Sequence, residues 1–161
     1  MAKVPFPHMM AGDVPLFASY ILTPDAKRFT RWEFDIHVGD GHLTGSEFDP
    51  AIFKLALEVS RLRIDAVGWD HGVPTVFEVK PRAALSAYGQ IKAYQLFFLR
   101  DKFIRPHMGI ITDWITPDMT WLCASEGIQV YLVKDASLDE LIQACHIVKA
   151  DCSQLIRIPG P

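Results

Sequence analysis

The 161-residue sequence has little of what marks secreted, membrane-spanning or zinc-binding proteins. Its three cysteines form neither an even set nor a Cys-x-x-Cys pair, so disulfides and a zinc knuckle are not expected. No stretch approaches the roughly 20 apolar residues that span a bilayer, and the first seven residues lack the apolar centre of a signal peptide. We therefore expect a soluble protein made in the cytoplasm, without a membrane partner.

Several familiar catalytic patterns are also missing. The six histidines match no zinc or triad spacing, and no serine stands in a Gly-x-Ser-x-Gly motif. The sequence has no glycine-rich phosphate loop either, which argues against hydrolysis of nucleoside triphosphates. The histidines are interpreted as surface or packing residues.

What the sequence does have is enough apolar material for one folded domain. Half of the residues are hydrophobic and 22% are charged, which argues against disorder. Four prolines interrupt residues 1–30, which are interpreted as an irregular N-terminal arm. Residues 31–150 should form the domain, and residues 151–161 a C-terminal tail.

The hydrophobic pattern predicts a domain that contains both strands and helices. Strands are expected at residues 31–38, 62–67, 77–80, 108–112 and 128–133, with a hairpin turn at Asp70-His71-Gly72. Helices are expected at residues 86–100 and after the capping box Ser137-x-x-Glu140. From Asp49-Pro50 onward helix and strand patterns compete, and a helix is favoured.

One constellation of polar residues points to chemistry. Side chains at i and i+2 of a strand share a face, so Glu78 and Lys80 should emerge together. Asp65 lies on the preceding strand, and antiparallel pairing of the two strands would place it beside Glu78. Gln90 should begin the following helix, with Tyr94 one turn later on the same face.

This set of residues suits metal-dependent cleavage of a phosphodiester. Two converging carboxylates repel each other unless a cation lies between them, and oxygen ligands favour Mg²⁺ or Mn²⁺. Lys80 would orient the attacking water or stabilise charge on the phosphate in the transition state. Gln90 and Tyr94 would hold the water, the lysine or a phosphate oxygen.

Asp65, Glu78-x-Lys80 and Gln90-Ile91-x-x-Tyr94 together resemble the PD-(D/E)xK nuclease superfamily, in its branch with glutamine and tyrosine on the helix after the lysine strand. The resemblance covers residues 62–112 and fits a single α/β domain of the restriction-endonuclease-like fold, a central mixed sheet flanked by helices. It implies Asp65 and Glu78 as metal ligands, Lys80 as the catalytic lysine, and Gln90 with Tyr94 as supporting residues. Many members also carry an acid on an N-terminal helix, for which Glu33, Glu47 and Glu58 are the candidates.

The charge distribution favours DNA as the partner. Between Arg61 and Arg105 there are eight basic and four acidic side chains, whereas the rest of the chain has eight basic and fifteen acidic ones. A basic region around the motif is what a nucleic-acid cleft requires. Arg63, Arg82 and Lys92 are the predicted phosphate contacts. Arginine and lysine near the end of the helix also suit its dipole, which explains part of the excess.

Two alternatives to a nuclease stay open. Arg-Ile-Asp-Ala-Val-Gly with Glu-Val-Lys-Pro is similar to small proteins encoded among the head and tail genes of tailed phages, which implies a virion component that uses this fold as an assembly module. Such a protein would be associated with the virion, and it would form a homo-oligomer or bind phage structural proteins. DNA binding without cleavage is the other alternative.

Overall fold

The computed structural model describes Phe6, residues 9–42, four isolated positions between 50 and 60, and residues 61–150. The helix predicted from Asp49-Pro50 onward lies largely outside the described residues, as do Glu47 and Glu58. The helices are α1 (Val14–Ile21), a 3-10 helix (Pro24–Arg28), α2 (Leu85–Lys102), α3 (Pro117–Ser125) and α4 (Leu138–Val148). The strands are β1 (Arg31–Val38), β2 (Leu62–Asp70), β3 (Val73–Val79), β4 (Arg82–Ala83), β5 (His107–Thr112), β6 (Trp114–Ile115) and β7 (Ile128–Leu132).

Five strands form a central mixed sheet in the order β1-β2-β3-β5-β7. The first three are antiparallel neighbours, and β5 and β7 continue the sheet in parallel. The short strands β4 and β6 pair in parallel as a separate two-stranded sheet. The predicted α/β domain with a central mixed sheet flanked by helices is confirmed, and so is the hairpin, whose turn residues His71 and Gly72 both have positive φ.

The helices cover the two faces of the sheet. Neighbouring residues of one strand point to opposite faces, and accordingly Phe77 packs with α1 and α4 whereas Val76 packs with α2 and α3. In β5, Ile111 packs on the α1/α4 side and Ile110 on the α2/α3 side. Among the described residues, none of the helices combines the length and the apolar character that crossing a bilayer requires.

Much of residues 14–28 is helical, where an irregular arm was predicted over residues 1–30. Val14–Ile21 form a helix, and Leu16, Phe17 and Tyr20 are fully buried against the sheet. Pro15 lies in the first turn of α1, where a missing N–H costs nothing, and Pro24 begins the 3-10 helix. These two prolines therefore mark helix starts and not irregular structure.

The first strand contains a change of face. Trp32 and Phe34 pack on the α1/α4 side, whereas Ile36 and Val38 pack on the α2/α3 side. Between them Asp35 has a φ of 55°, in the left-handed region that non-glycine residues seldom adopt. All four apolar side chains of β1 pack in a hydrophobic core, as expected from their spacing. However, two of them lie in the core on one face of the sheet and two in the core on the other face.

Candidate active site

The site lies where β2 and β3 separate. Their ladder runs from the Asp70–Val73 pair to the Ala66–Phe77 pair, and the next residues along the two strands are Asp65 and Glu78. There the backbone N–H of Val79 donates to Asp65 Oδ2 at 2.9 Å. Beyond this point β2 pairs with β1, and β3 pairs with β5. The fork therefore brings the two carboxylates together.

Both carboxylates are held in a poorly solvated position. The Glu78 side chain is 2% exposed. Burial and the nearby Asp65 charge raise the pKa of Glu78 to about 8, while burial and the Asp13 charge raise the pKa of Asp65 to about 6. Among the described residues, Glu78 Oε2 is buried without a hydrogen-bond partner. The pair is therefore short of positive charge and of hydrogen-bond donors.

Lys80 supplies a cationic group next to Glu78. Its Nζ lies 3.6 Å from Glu78 Oε1, and about a third of the side chain is exposed. Lys80 follows the end of β3, and its backbone N–H donates to Ile111 O at 3.0 Å. The amine is thus held beside Glu78 and still reaches solvent, where a substrate would approach.

Helix α2 brings two further side chains to the same place. Gln90 and Tyr94 both line the pocket with Glu78 and Lys80. The helix begins at Leu85, so Gln90 lies in its second turn and does not begin the helix as predicted. Tyr94 is almost fully buried, and burial together with the Glu78 charge raises its pKa, so its hydroxyl stays protonated. Tyr94 can donate a hydrogen bond but cannot act as a base near neutral pH.

These residues line a pocket of about 220 Å³. Its walls come from α1, β1, β2, β3, α2 and the residues next to them: Met10, Asp13, Asp35, Arg63, Ile64, Asp65, Glu78, Val79, Lys80, Gln90 and Tyr94. Among the predicted contacts to nucleic acid, Arg63 lies in this pocket. The pocket therefore brings together six of the eight predicted site residues.

Asp13 is a site residue that sequence reasoning missed. It precedes α1 and is 8% exposed, and its charge acts on both Asp65 and Lys80. Burial raises its own pKa. Of the predicted N-terminal acids, Glu33 binds Arg31 and Trp69 and does not line the pocket. Asp13-Val14-Pro15, an acid and a proline before an apolar run, is a helix-start signal that could have revealed it.

Asp35 and Arg63 form a second polar pair in the pocket wall. Asp35 lies between the Phe34–Ala66 and Ile36–Ile64 pairs, and so opposite Asp65 in the β1–β2 ladder. Its Oδ1 accepts from Arg63 Nε at 2.6 Å. A third of the Arg63 side chain is exposed, so the guanidinium is held at the pocket while keeping access to solvent.

The other two predicted phosphate contacts lie outside the pocket. Lys92 forms an ion pair with Glu126 at 2.9 Å. Arg82 is exposed on β4 and stacks on Trp114, with its guanidinium carbon 4.2 Å from the ring centroid. Farther along α2, Arg100 contacts Asp40 and Asp101. Acids from elsewhere in the chain thus neutralise part of the basic excess predicted around the motif.

The carboxylate oxygens of the pocket are suitable ligands for a divalent cation. Asp65 and Glu78 offer carboxylate oxygens, and the unpartnered Glu78 Oε2 is an acceptor without a donor. Within the part of the chain that the structure describes, no three carboxylate, imidazole or thiol groups gather closely enough to hold a metal by themselves. A cation here would therefore complete its coordination with water, substrate or backbone oxygens, as Mg²⁺ commonly does.

The sequence matches no protein-family model and shows no significant similarity to curated proteins. Among solved structures, it resembles a repair endonuclease from Pyrococcus abyssi (19% identity, TM-score 0.41, 58% of this chain and 50% of that one). It also resembles EndoMS in a complex with double-stranded DNA (16% identity, TM-score 0.48, 80% of this chain and 47% of that one). The chain spans about half the length of these structures. These values are too low to transfer an activity, so the function of the site has to follow from its own residues.

Proposed function

We propose that this protein is a metal-dependent nuclease that hydrolyses DNA phosphodiester bonds at the fork between β2 and β3. The observation that carries the proposal is the pair of half-buried Asp65 and buried Glu78, with Lys80 Nζ 3.6 Å from Glu78 Oε1. Two neighbouring carboxylates that are shielded from water repel each other, and a bound cation relieves that repulsion. The pair therefore favours binding a cation.

Asp65 and Glu78 would hold Mg²⁺ or Mn²⁺, with one oxygen of Asp65 already fixed by the Val79 N–H. When bound, the cation supplies the Lewis acidity for phosphodiester hydrolysis. Glu78, whose raised pKa of about 8 keeps it largely protonated near neutral pH, would release its proton on binding the cation.

Lys80 and the residues of α2 act on the water and the phosphate. The Lys80 ammonium orients the attacking water and stabilises the negative charge that builds up on the phosphate oxygens. In the reaction the water oxygen bonds to phosphorus, the bond to one sugar oxygen breaks, and the water's protons are distributed between the leaving oxygen and solvent. Tyr94, protonated over the working pH range, would serve as a hydrogen-bond donor in the site.

Arg63 is the residue in the pocket that best suits a DNA phosphate. Its guanidinium is permanently charged, and its Nε–H is already committed to Asp35, which leaves the remaining N–H groups for a phosphate oxygen. Outside the pocket, Arg82, two residues after Lys80, would contact the strand next to the site. Lys92 would contact the strand farther from the cleaved bond.

The proposal is tested by cleavage of supercoiled, linear and single-stranded DNA with Mg²⁺ or Mn²⁺. Glu78→Gln and Lys80→Ala should each lower the rate by about 100-fold or more, the usual effect of removing a charge-stabilising group. Lys102→Ala, an exposed lysine at the end of α2, is the matched control and should cut like the native protein. Cleavage that survives in both site variants would refute the assignment.

The assembly role expected from the phage resemblance makes the opposite prediction for the same experiment. A virion component without turnover would cut none of the three substrates and would instead form a defined oligomer or bind other particle proteins. DNA binding without cleavage would leave a salt-dependent affinity that does not change in Lys80→Ala.

A further inference from the structure

The small β4–β6 sheet presents an aromatic and cationic surface beside the site. Within each short strand the side chains alternate: Ala83 is buried and Ile115 packs against the same core, while Arg82 and Trp114 face outward. The Trp114 side chain is 44% exposed, and the Arg82 guanidinium lies over its ring. We call this pair of residues the Arg82–Trp114 surface.

The Arg82–Trp114 surface is fixed to the strands that carry the site. Thr112 is fully buried at the end of β5, and its hydroxyl lies within hydrogen-bond distance of two acceptors, Pro81 O at 3.2 Å and Trp114 O at 3.0 Å. The same oxygen accepts from the Trp114 N–H. On the other side Lys80 N–H donates to Ile111 O. Arg82 is two residues from Lys80, and two residues span at most about 7 Å. The backbone of Arg82 therefore stays close to that of Lys80, at the edge of the site.

A rigid indole ring covered by a guanidinium is well suited to one kind of ligand, a nucleobase. Aromatic rings and arginine planes both stack on bases, and the positive charge attracts the strand that carries the base. Bases of a duplex are already stacked on each other, so such a surface takes an unpaired one. Two side chains that already hold each other in place lose little conformational entropy when a base stacks on them.

We propose that the Arg82–Trp114 surface stacks an unpaired base of the DNA strand next to the phosphate held at Lys80, so that the site acts on single-stranded or locally unpaired DNA. The inference rests on the proposed function only for the position of the phosphate. The stacking itself is a property of binding and can be measured without cleavage.

The test compares two oligonucleotides of about 12 nucleotides, a length within the usual footprint of single-strand binding sites. One is oligothymidylate, and the other has the same sugar-phosphate backbone without bases. Fluorescence anisotropy in EDTA gives their affinities while both stay uncut. The native protein should bind oligothymidylate at least about fivefold more tightly, the lower end of what one base–aromatic stack contributes.

Three variants assign that difference to the surface. Trp114→Ala should bind the two oligonucleotides equally while keeping the native affinity for the abasic one, and Trp114→Phe should retain most of the difference. Trp121→Ala, which removes a more exposed tryptophan from α3, should behave as the native protein does. Melting temperatures of all variants separate a loss of fold, which would weaken binding of both oligonucleotides, from a loss of stacking.

Equal native affinity for the two oligonucleotides, no binding of either, or the same loss in Trp121→Ala as in Trp114→Ala would overturn the inference. The outcome is distinct from that of the cleavage experiment. Base-dependent binding without metal-dependent cutting would refute the nuclease and leave the stacking surface standing. Metal-dependent cutting without base-dependent binding would refute the stacking surface and leave the nuclease proposal standing.

Discussion

Replacing Glu78 by glutamine should make the metal-free protein more stable at alkaline pH and remove its response to metal. Burial raises the pKa values of Asp65 and Glu78 to about 6 and about 8, from ordinary values of 3.8 and 4.5. The folded state therefore binds more protons than the unfolded state, and the free energy of unfolding falls as the pH rises. The fall begins near the ordinary pKa values and is complete above the folded-state pKa of Glu78.

The size of the effect follows from the pKa of Glu78. A tenfold change in proton affinity corresponds to about 1.4 kcal/mol, so ionising this group between pH 5 and pH 8 costs on the order of 4 kcal/mol. For a domain of this size that is a drop of about 10 °C in melting temperature. Glu78→Gln keeps the shape of the side chain and removes the charge, and it also relieves Asp65 of its like-charged neighbour. The variant should therefore have a much flatter profile.

The assay measures thermal unfolding from pH 5 to pH 8, once in EDTA and once with Mn²⁺ in place of EDTA. Mn²⁺ should raise the melting temperature of the native protein. The increase should be larger at pH 8 than at pH 6, because fewer protons compete with the ion for the carboxylates at pH 8. Glu126→Gln, which alters an exposed carboxylate on the surface, should follow the native profile. A native profile that is flat in EDTA, or a Glu78→Gln profile as steep as the native one, would refute the linkage between the pair and stability.

Three further outcomes are expected. Asp13→Asn removes a negative charge that raises the pKa of Asp65, so the midpoint of the pH dependence of Mn²⁺ binding, measured by calorimetry, should move to lower pH; a shift to higher pH would contradict the placement of Asp13. Gly89→Ala should raise the free energy of unfolding by about 1 kcal/mol because the added methyl meets open space in a helix, whereas Gly109→Ala should lower it by about 1–3 kcal/mol because its methyl would lie 2.7 Å from the Phe77 ring. Ser137→Ala breaks the capping box of α4 and should cost about 1 kcal/mol in urea unfolding, and an unchanged midpoint would show that the cap is dispensable.

The parts of the site that could be predicted are those set by local geometry. The alternation of a strand places Glu78 and Lys80 together, and a hairpin turn five residues after Asp65 fixes the register that brings it to Glu78. Helical spacing does the same for Gln90 and Tyr94. Each of these relations involves elements that are neighbours in the sequence, so short-range rules are sufficient.

The parts that could not be predicted depend on long-range packing. Asp13 reaches the pocket only because α1 packs against the sheet, a contact that periodicity does not specify. Asp35 faces Arg63 because its backbone adopts a positive φ, which the strand pattern of β1 hides. The partners of Lys92 and Arg100 likewise come from elements distant in sequence, so the basic surface predicted from the sequence is smaller in the structure.

The packing of α1 against α4 has a consequence for how the protein is made. Pro15 O accepts from the N–H of Ala136, and α1 shares its core with Ala144 and Cys145 of α4. On the ribosome, α1 leaves the exit tunnel before α4 does, so the part of the α1 surface that packs on Ala144 and Cys145 stays uncovered until α4 is made. A nascent chain that ends before α4 therefore carries the motif residues while the helix that positions Asp13 lacks part of its support.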